Sequence, residues 1–432
     1  MKRPATSLRR WVNARPGEGQ ALAWSWLYMF ALFLAYYVLR PIRDELGVAA
    51  GVRNLPWLFT GTLLAMLALS PLFSMAVKRW PRERFIAISY RFFMLHLLGF
   101  AVLLVWSSTA QQVWMGRAFF IWVSVFNLFV VSVFWSLVVD VFNTEQGQRL
   151  FGFLAAGATL GGMAGSALTA TLAMRIDTHW LLLIAVALLE VAVRAARQLS
   201  RWQRPHAHAD IKTTDAIARQ QVIGGGTLAG ITHTLRSPYL LGIACFILLY
   251  SITSTFLYFQ QASIVDAAFA SRAERTAFFA RIDLWVNALT LALQVLAVGR
   301  LTQWLGVMTV LCVLPLLSVI GFSVLGMASS TGLFVAVQVA RRVSNFAFAK
   351  PAREVLFTHV PREDRYKAKN FIDTVVYRSG DQIGSWTYAG LMALGLGMSG
   401  IAWVAVPLSV LWVGLSVWLG RYPSRLASPH GS

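Results

Sequence analysis

The sequence predicts an all-α membrane protein of twelve transmembrane helices, and three observations carry that prediction. Hydrophobic residues make up 57% of the 432 positions and charged residues only 13%, where a soluble domain carries about 25% charged residues. The mean hydropathy is +0.61. Apolar runs of roughly the 20 residues that a bilayer requires recur along the chain, at about 22–40, 56–77, 86–106, 114–140, 152–173, 179–196, 238–261, 278–299, 307–328, 332–350, 371–395 and 399–420.

Charge fixes the expected orientation. An even number of spans puts both termini on one side. With the N-terminus in the cytoplasm, most of the 38 Lys and Arg fall in cytoplasmic segments, against five outside (Arg43, Arg53, Arg175, Arg272, Arg275). This positive-inside bias accounts for the net charge of +20 without nucleic acid as a partner. The domain plan is therefore a basic cytoplasmic tail (1–21), six spans (22–196), a cytoplasmic linker (197–237), six further spans (238–420) and a cytoplasmic tail (421–432). The first segment has no apolar core or small-residue cleavage site and reads as a tail, not a signal peptide. The linker is polar and basic; His206, His208 and Asp210 alternate within it, and solvated linkers commonly carry such residues. Cys245 and Cys312 lie in predicted spans, which supports neither a disulfide framework nor a cysteine metal site. No cofactor is expected.

The first span ends in YYVLRPIRDELG, Tyr36 to Gly47, with Arg40, Arg43, Asp44 and Glu45 directly on an apolar run. Charge at such depth is costly and is kept for pairing or for a substrate path. Pro41 disfavours helical geometry at Arg40 and removes a donor, so a kink or break is expected there. Tyr36, Arg40 and Arg43 at i, i+4 and i+7 share one helical face, a polar stripe suited to an anion.

The two halves read as a diverged repeat. Ser74, Lys78, Arg79 and Pro81 after the second span, and Gly299, Gln303, Trp304 and Gly306 after the eighth, stand where a major facilitator loop motif has Gly, Asp, Arg and Gly. The acid is lost in both, but the pattern recurs in equivalent loops. The chain resembles the major facilitator plan, which implies two parallel six-span halves with a site near the bilayer midplane between them.

Three further stretches carry a narrower resemblance. YYVLRPIRDELG followed by RNLPWLF, FWSLVVDVFNTEQGQRLFG, and PAREVLFTHVPREDRYKAKNFID stand in order with compatible spacing. They resemble the ATP/ADP translocase family of plastids and intracellular bacteria, twelve-span exchangers of nucleotides, as a short, divergent bacterial-type member. Arg43 stands where that family has a lysine, Val123 where a glutamate is expected in the fourth span, and Asp381 where a lysine follows in the eleventh. The resemblance implies kinship of fold and a carrier's activity; these departures leave the passenger open.

The remaining candidates follow from charge inside spans. Gln338, Arg341, Arg342 and Asn345 cluster in two turns of the tenth span, with Arg341 roughly 15 Å deep at 1.5 Å per residue. Adjacent arginines point about 100° apart, so one can pair with an acid such as Asp381 or Asp140 while the other faces the path. Asn127 in the fourth span joins Tyr36, Arg40, Arg43, Arg341, Arg342 and Asn345 as a substrate contact. Asp283, Asn287 and Gln294 share a face of the eighth span. Arg378 and Asp381 in the eleventh are i, i+3 partners. Asp44, Asp283, Asp373 and Asp381 are read as fixed counter-ions or, less simply, as proton carriers. Asp140 and Arg149, matched in the second half by Glu354 with Lys367 or Lys369, are read as gating latches at cytoplasmic helix ends. Glu190 and Arg194 read as an ordinary i, i+4 pair. Gly157, Gly161 and Gly165 in GATLGGMAGS lack a phosphate loop's lysine and read as a helix-packing face.

The expected function is secondary transport of a small organic anion, nucleotide exchange included, by alternating access. The partners are that anion, a coupling proton or counter-substrate, and the lipid bilayer of a bacterial inner membrane, with the carrier a monomer. The alternative is a proton-coupled major facilitator carrier of an unrelated small molecule. A polytopic lipid enzyme would need a clustered nucleophile or His/Asp/Glu set near one interface, and the sequence has none.

Overall fold

The computed structural model describes residues 18–427 apart from 80, 81, 143, 208–228, 296–298, 329, 361–367 and 370, and these are helical nearly throughout. The long helices are α1 (Gly19–Ala49), α2 (Leu55–Arg79), α3 (Arg82–Trp106), α4 (Thr109–Val141), α5 (Thr144–Leu172), α6 (Thr178–Ala207), α7 (Pro238–Ala268), α8 (Arg272–Leu293), α9 (Gly299–Met327), α10 (Thr331–Ser344), α11 (Tyr377–Ala393) and α12 (Met398–Ala427). Ten are long and apolar enough to cross a membrane. The other two of the twelve expected spans, α10 and α11, have 14 and 17 α-helical residues. Each is extended by a π-helical turn: Asn345–Ala349 continues α10 into a further short helix, Lys350–Leu356, and Ile372–Val376 leads into α11. Single π turns inside helices are frequent at functional sites.

The chain divides into two compact units. One comprises Met1–Gly51, Gly61–Arg219 and Phe269–Asn287; the other comprises Val52–Thr60, Gln220–Ala268 and Ala288–Ser432. The first turns of α2 thus belong with the second unit, and most of α8 belongs with the first.

In the first unit α1 packs on α4, α5 and α6, and α3 packs on α6. Its buried core includes Tyr28, Leu32 and Leu39 of α1 with Phe126 and Phe134 of α4. In the second unit α7 packs on α11 and α12, and α9 packs on α12. Each of these second-unit pairings repeats a first-unit pairing six helices earlier, so the diverged sequence repeat has a counterpart in packing. The closest approaches repeat as well. Gly161 and Gly165 of α5 lie on the α1 backbone: a Cβ at Gly165 would sit 2.5 Å from the Leu34 carbonyl, and one at Gly161 would collide with the Phe30 carbonyl. On α11, a Cβ at Gly380 would sit 2.6 Å from Ser251 Cβ of α7. The glycine spacing in GATLGGMAGS is therefore a packing face. Gly161→Ala is expected to cost about 1–3 kcal/mol as overpacking against backbone, read as a lower melting midpoint in detergent, whereas Gly152→Ala, with open space around it, should be neutral.

The expected break at Pro41 is absent. α1 runs from Gly19 to Ala49 with Pro41 inside it and buried, so Arg40 to Glu45 lie on its last turns rather than beyond its end. The proline withholds one intrahelical hydrogen bond, but a helix enclosed on several sides by α4, α5 and α6 keeps its geometry against that local preference. The loop motif of the second half has a conformational basis at one position. Gly306 takes φ 72° and ψ 164° within α9, a region that only glycine occupies readily. The side chains of Ser74, Lys78, Gln303 and Trp304, and residue Pro81, lie outside the described residues. Exposed Leu64, Leu67, Leu95, Val102, Ile320 and Leu411 are the surface that a membrane-spanning chain presents to lipid.

Candidate functional site

In the first unit the C-terminal half of α1 is largely buried, and Tyr36, Arg40 and Arg43 are half-buried on one face of it. The charges are already matched. Arg40 Nη1 lies 3.2 Å from Asp283 Oδ1 of α8, and the Arg40 guanidinium sits 5.7 Å from the Tyr37 ring centroid. Arg43 donates from Nη2 to Asp44 Oδ1 at 2.6 Å and lies over the Phe120 ring at 5.1 Å. Tyr36 meets Tyr37 edge-on at 5.4 Å. Asn287 donates to the Asp283 carbonyl one turn back, at 2.8 Å. Asn127 of α4 is half-buried and makes no hydrogen bond among the described residues.

The second unit holds a polar seam between α7 and α10. Gln338, Arg341 and Asn345 fall at i, i+3 and i+7, so they share one face of α10. Gln338 donates to Gln261 at 2.9 Å and Asn345 donates to the Tyr250 hydroxyl at 2.9 Å. Between them Arg341, 3% exposed, donates from Nη2 to Thr253 Oγ1 and from Nε to Ser318 Oγ of α9, each at 2.8 Å. A longer contact joins Nη1 to the Thr253 carbonyl at 3.4 Å, and the guanidinium lies 5.1 Å from the Phe322 ring centroid. No carboxylate among the described residues pairs with it.

The pairing of Arg341 with Asp381 that the sequence allowed is therefore not formed, because α7 stands between them. Asp381 faces the other side of α7, where Oδ1 accepts from Ser251 at 2.5 Å and Oδ2 accepts from Arg378 at 3.0 Å. Arg342 is half-buried and has a partner of its own.

Between the segment that follows α10 and the segment that leads into α11, Arg353 pairs with Asp373 at 3.1 Å, and Lys369 pairs with Glu354. Glu354 and Lys369 thus close on each other within the second unit. The side chains of Asp140 and Arg149, and residue Lys367, lie outside the described residues. Because Glu354 and Lys369 are 44% and 35% exposed, a double-mutant cycle on them should return no more than about 1 kcal/mol, measured by denaturation of the four variants. Glu190 and Arg194 form the expected i, i+4 pair at 3.3 Å.

Asp283, Asp373 and Asp381 each have an arginine partner, the counter-ion arrangement. Sequence reasoning missed Arg353 as the partner of Asp373, Thr253 and Ser318 as the holders of Arg341, and the π turns at Asn345–Ala349 and Ile372–Val376. It also passed over Glu45, one of the four charges it quoted in α1. No group of His, Cys, Asp or Glu among the described residues is arranged to hold a metal ion.

Comparison with known proteins bears on the family and the fold. The model of the Major Facilitator Superfamily matches residues 21–381. Over 223 residues the chain is 26% identical to ADP,ATP carrier protein 2 of Chlamydia pneumoniae, a stretch covering 45% of this chain and 41% of that protein; the chain thus matches less than half the length of that relative. A D-xylose-proton symporter structure superposes with a TM-score of 0.64 at 16% identity, over 92% of this chain and 96% of that one. A bacterial homologue of the human lysosomal transporter Spinster, in an inward-facing and unoccupied conformation, gives 0.62 at 13% identity, over 94% and 98%. A POT family transporter bound to a thioalcohol-conjugated peptide gives 0.64 at 10% identity, over 96% and 100%.

Proposed function

Because the chain belongs to the major facilitator superfamily, we propose that it carries a small organic anion across a bacterial inner membrane by alternating access. It is a multi-pass membrane transporter, and not an enzyme, by its family and fold; the anion is the proposal. The observation that carries it is Arg341, a buried guanidinium whose partners are neutral oxygens and an aromatic face. Burying a charge without a counter-ion is costly, and the cost is recovered when an anion supplies the missing charge. A guanidinium has five N–H donors, and the Ser318 and Thr253 contacts engage three of them, so two remain for a carboxylate or phosphoryl group. Gln338 and Asn345 flank it on the same face with further amide groups. The repeated helix pairings support two six-helix halves, 22–196 and 238–420, joined by the 197–237 linker. The basic cytoplasmic segments support both termini inside.

Nucleotides are the first passengers to test. The resemblance of three stretches to ATP/ADP translocases and the 26% identity to an ADP,ATP carrier support them. Uptake of labelled ATP, ADP, phosphorylated metabolites and dicarboxylates into proteoliposomes of the purified chain is expected to give saturable flux for one of these classes. Absence of saturable flux across the whole panel would end the anion reading.

A further inference from the structure

Glu45 lies on the last turns of α1, one residue past the Arg43–Asp44 pair, and is 1% exposed. Neither carboxylate oxygen has a hydrogen-bond partner among the described residues. Its nearest charge is Arg272 at the start of α8, with Nε 3.6 Å from Oε1, and Arg275 one turn on also acts on it. Arg275 itself donates to the Phe269 carbonyl at 2.9 Å. On α1, Arg43 is bound to Asp44. From α4, Gly116 packs against Leu46, and Arg117 is stacked 4.4 Å from the Trp114 ring centroid. Among the described residues, no titratable group of α4, α5 or α6, the helices packed on α1, exerts a field on Glu45 comparable to that of the two α8 arginines.

A structural ion pair in a dry site is normally close and completed by hydrogen bonds. Asp44 and Asp381 meet that standard, and Asp283 has a close arginine although its Oδ2 has no hydrogen bond among the described residues. Asp44, Asp283 and Asp381 have arginine nitrogens at 2.6, 3.2 and 3.0 Å. Glu45 has one long contact, to a side chain that is itself 38% exposed. The arrangement holds an ionised carboxylate only while the start of α8 stays beside it. Were the start of α8 to withdraw, a buried carboxylate with no hydrogen bond would either take a proton or have to be hydrated.

We propose that Glu45 is the proton-binding site of this carrier, ionised while Arg272 and Arg275 are beside it and protonated when they leave. The proton comes from water at the end of α1 that the charge distribution places outside, and it returns there or passes inward with the transport step. Proton movement would thus be tied to the α1–α8 contact that also contains Arg40 and Asp283. The inference rests on the carrier reading for its purpose but not for its test.

The test is infrared difference spectroscopy of the full-length protein in liposomes across a pH series, following the carbonyl stretch of protonated carboxyl groups. The wild type is expected to show a band that grows as pH falls and is lost in Glu45→Gln. In Arg272→Ala the same band should appear at higher pH, because the cation that favours the ionised form is gone. Arg272→Ala keeps the proposal testable where Glu45→Gln does not fold. A band unchanged in Glu45→Gln, or a pH dependence indifferent to Arg272→Ala, would overturn it. Failure of the anion-uptake panel would leave this result standing, so the two readings fail separately.

Discussion

Replacing Arg341 with methionine is expected to raise the melting temperature of the purified protein while abolishing anion flux. Arg341 is held by Ser318 and Thr253, but those hydroxyls also donate to their own helices, to the Leu314 carbonyl at 2.7 Å and the Leu249 carbonyl at 2.8 Å. Removing the guanidinium therefore leaves no donor stranded. It also removes a buried charge that no carboxylate balances, and methionine fills much of the volume against Phe322. A substitution of this kind is neutral or stabilising, by about 1–4 kcal/mol for buried ionic groups replaced with apolar ones. If the guanidinium meets the passenger, each charge-assisted hydrogen bond lost costs about 1.5–3 kcal/mol, so apparent affinity falls roughly 10- to 100-fold per bond. Arg341→Lys should retain part of the binding, because a point charge replaces a planar fork. Thermal denaturation and concentration-dependent uptake separate these effects. A variant that loses stability but keeps full flux would make Arg341 a structural residue.

The second large effect is expected at Asp283. Asp283→Ala leaves the Arg40 guanidinium, 20% exposed, without the carboxylate now 3.2 Å away. Removing one partner of a buried pair costs about 3–5 kcal/mol, chiefly from the charge left behind. The double variant Arg40→Met, Asp283→Leu should recover most of that loss, since both charges then go together. Denaturation in detergent of Arg40→Met, Asp283→Leu and the double variant, with the same substitutions throughout, gives the coupling. Additive losses would mean that the pair contributes nothing as a pair. The contrast with Glu354 and Lys369, which are solvent-exposed, tests whether burial rather than pairing sets the magnitude.

The helical plan was legible because hydropathy over roughly 20 residues is a strong signal. The packing role of the α5 glycines was legible because small residues four apart let helices approach closely, although their partner α1 was not. The path of α1 through Pro41 was not. Local preference argues for a break, and the enclosure by α4, α5 and α6 that overrides it is a tertiary property. The π turns at Asn345–Ala349 and Ile372–Val376 were not legible either, since a wider turn has no residue-type signature and is set by the packing around it. They also explain why the tenth and eleventh spans look right in sequence yet fall short as continuous α-helices. Within the candidate site, spacing along one helix was informative: Arg378 with Asp381, and Glu190 with Arg194, pair as their spacing predicts. Pairing between helices was not. Arg40 with Asp283, Arg353 with Asp373 and Arg341 with Thr253 and Ser318 depend on which helices become neighbours. Glu45 went unremarked because an acid beside arginines in sequence reads as paired, whereas the buried acid next to Arg43 that takes it is Asp44.

Trans-stimulated uptake tests the central claim most directly. Proteoliposomes of the purified chain, preloaded with the unlabelled anion that the uptake panel identifies, are offered the same anion labelled outside. An alternating-access carrier that binds its anion through Arg341 should take up label faster when preloaded, saturate with concentration, and lose both properties in Arg341→Met. Flux that rises linearly with concentration, ignores preloading and persists in Arg341→Met would contradict the account.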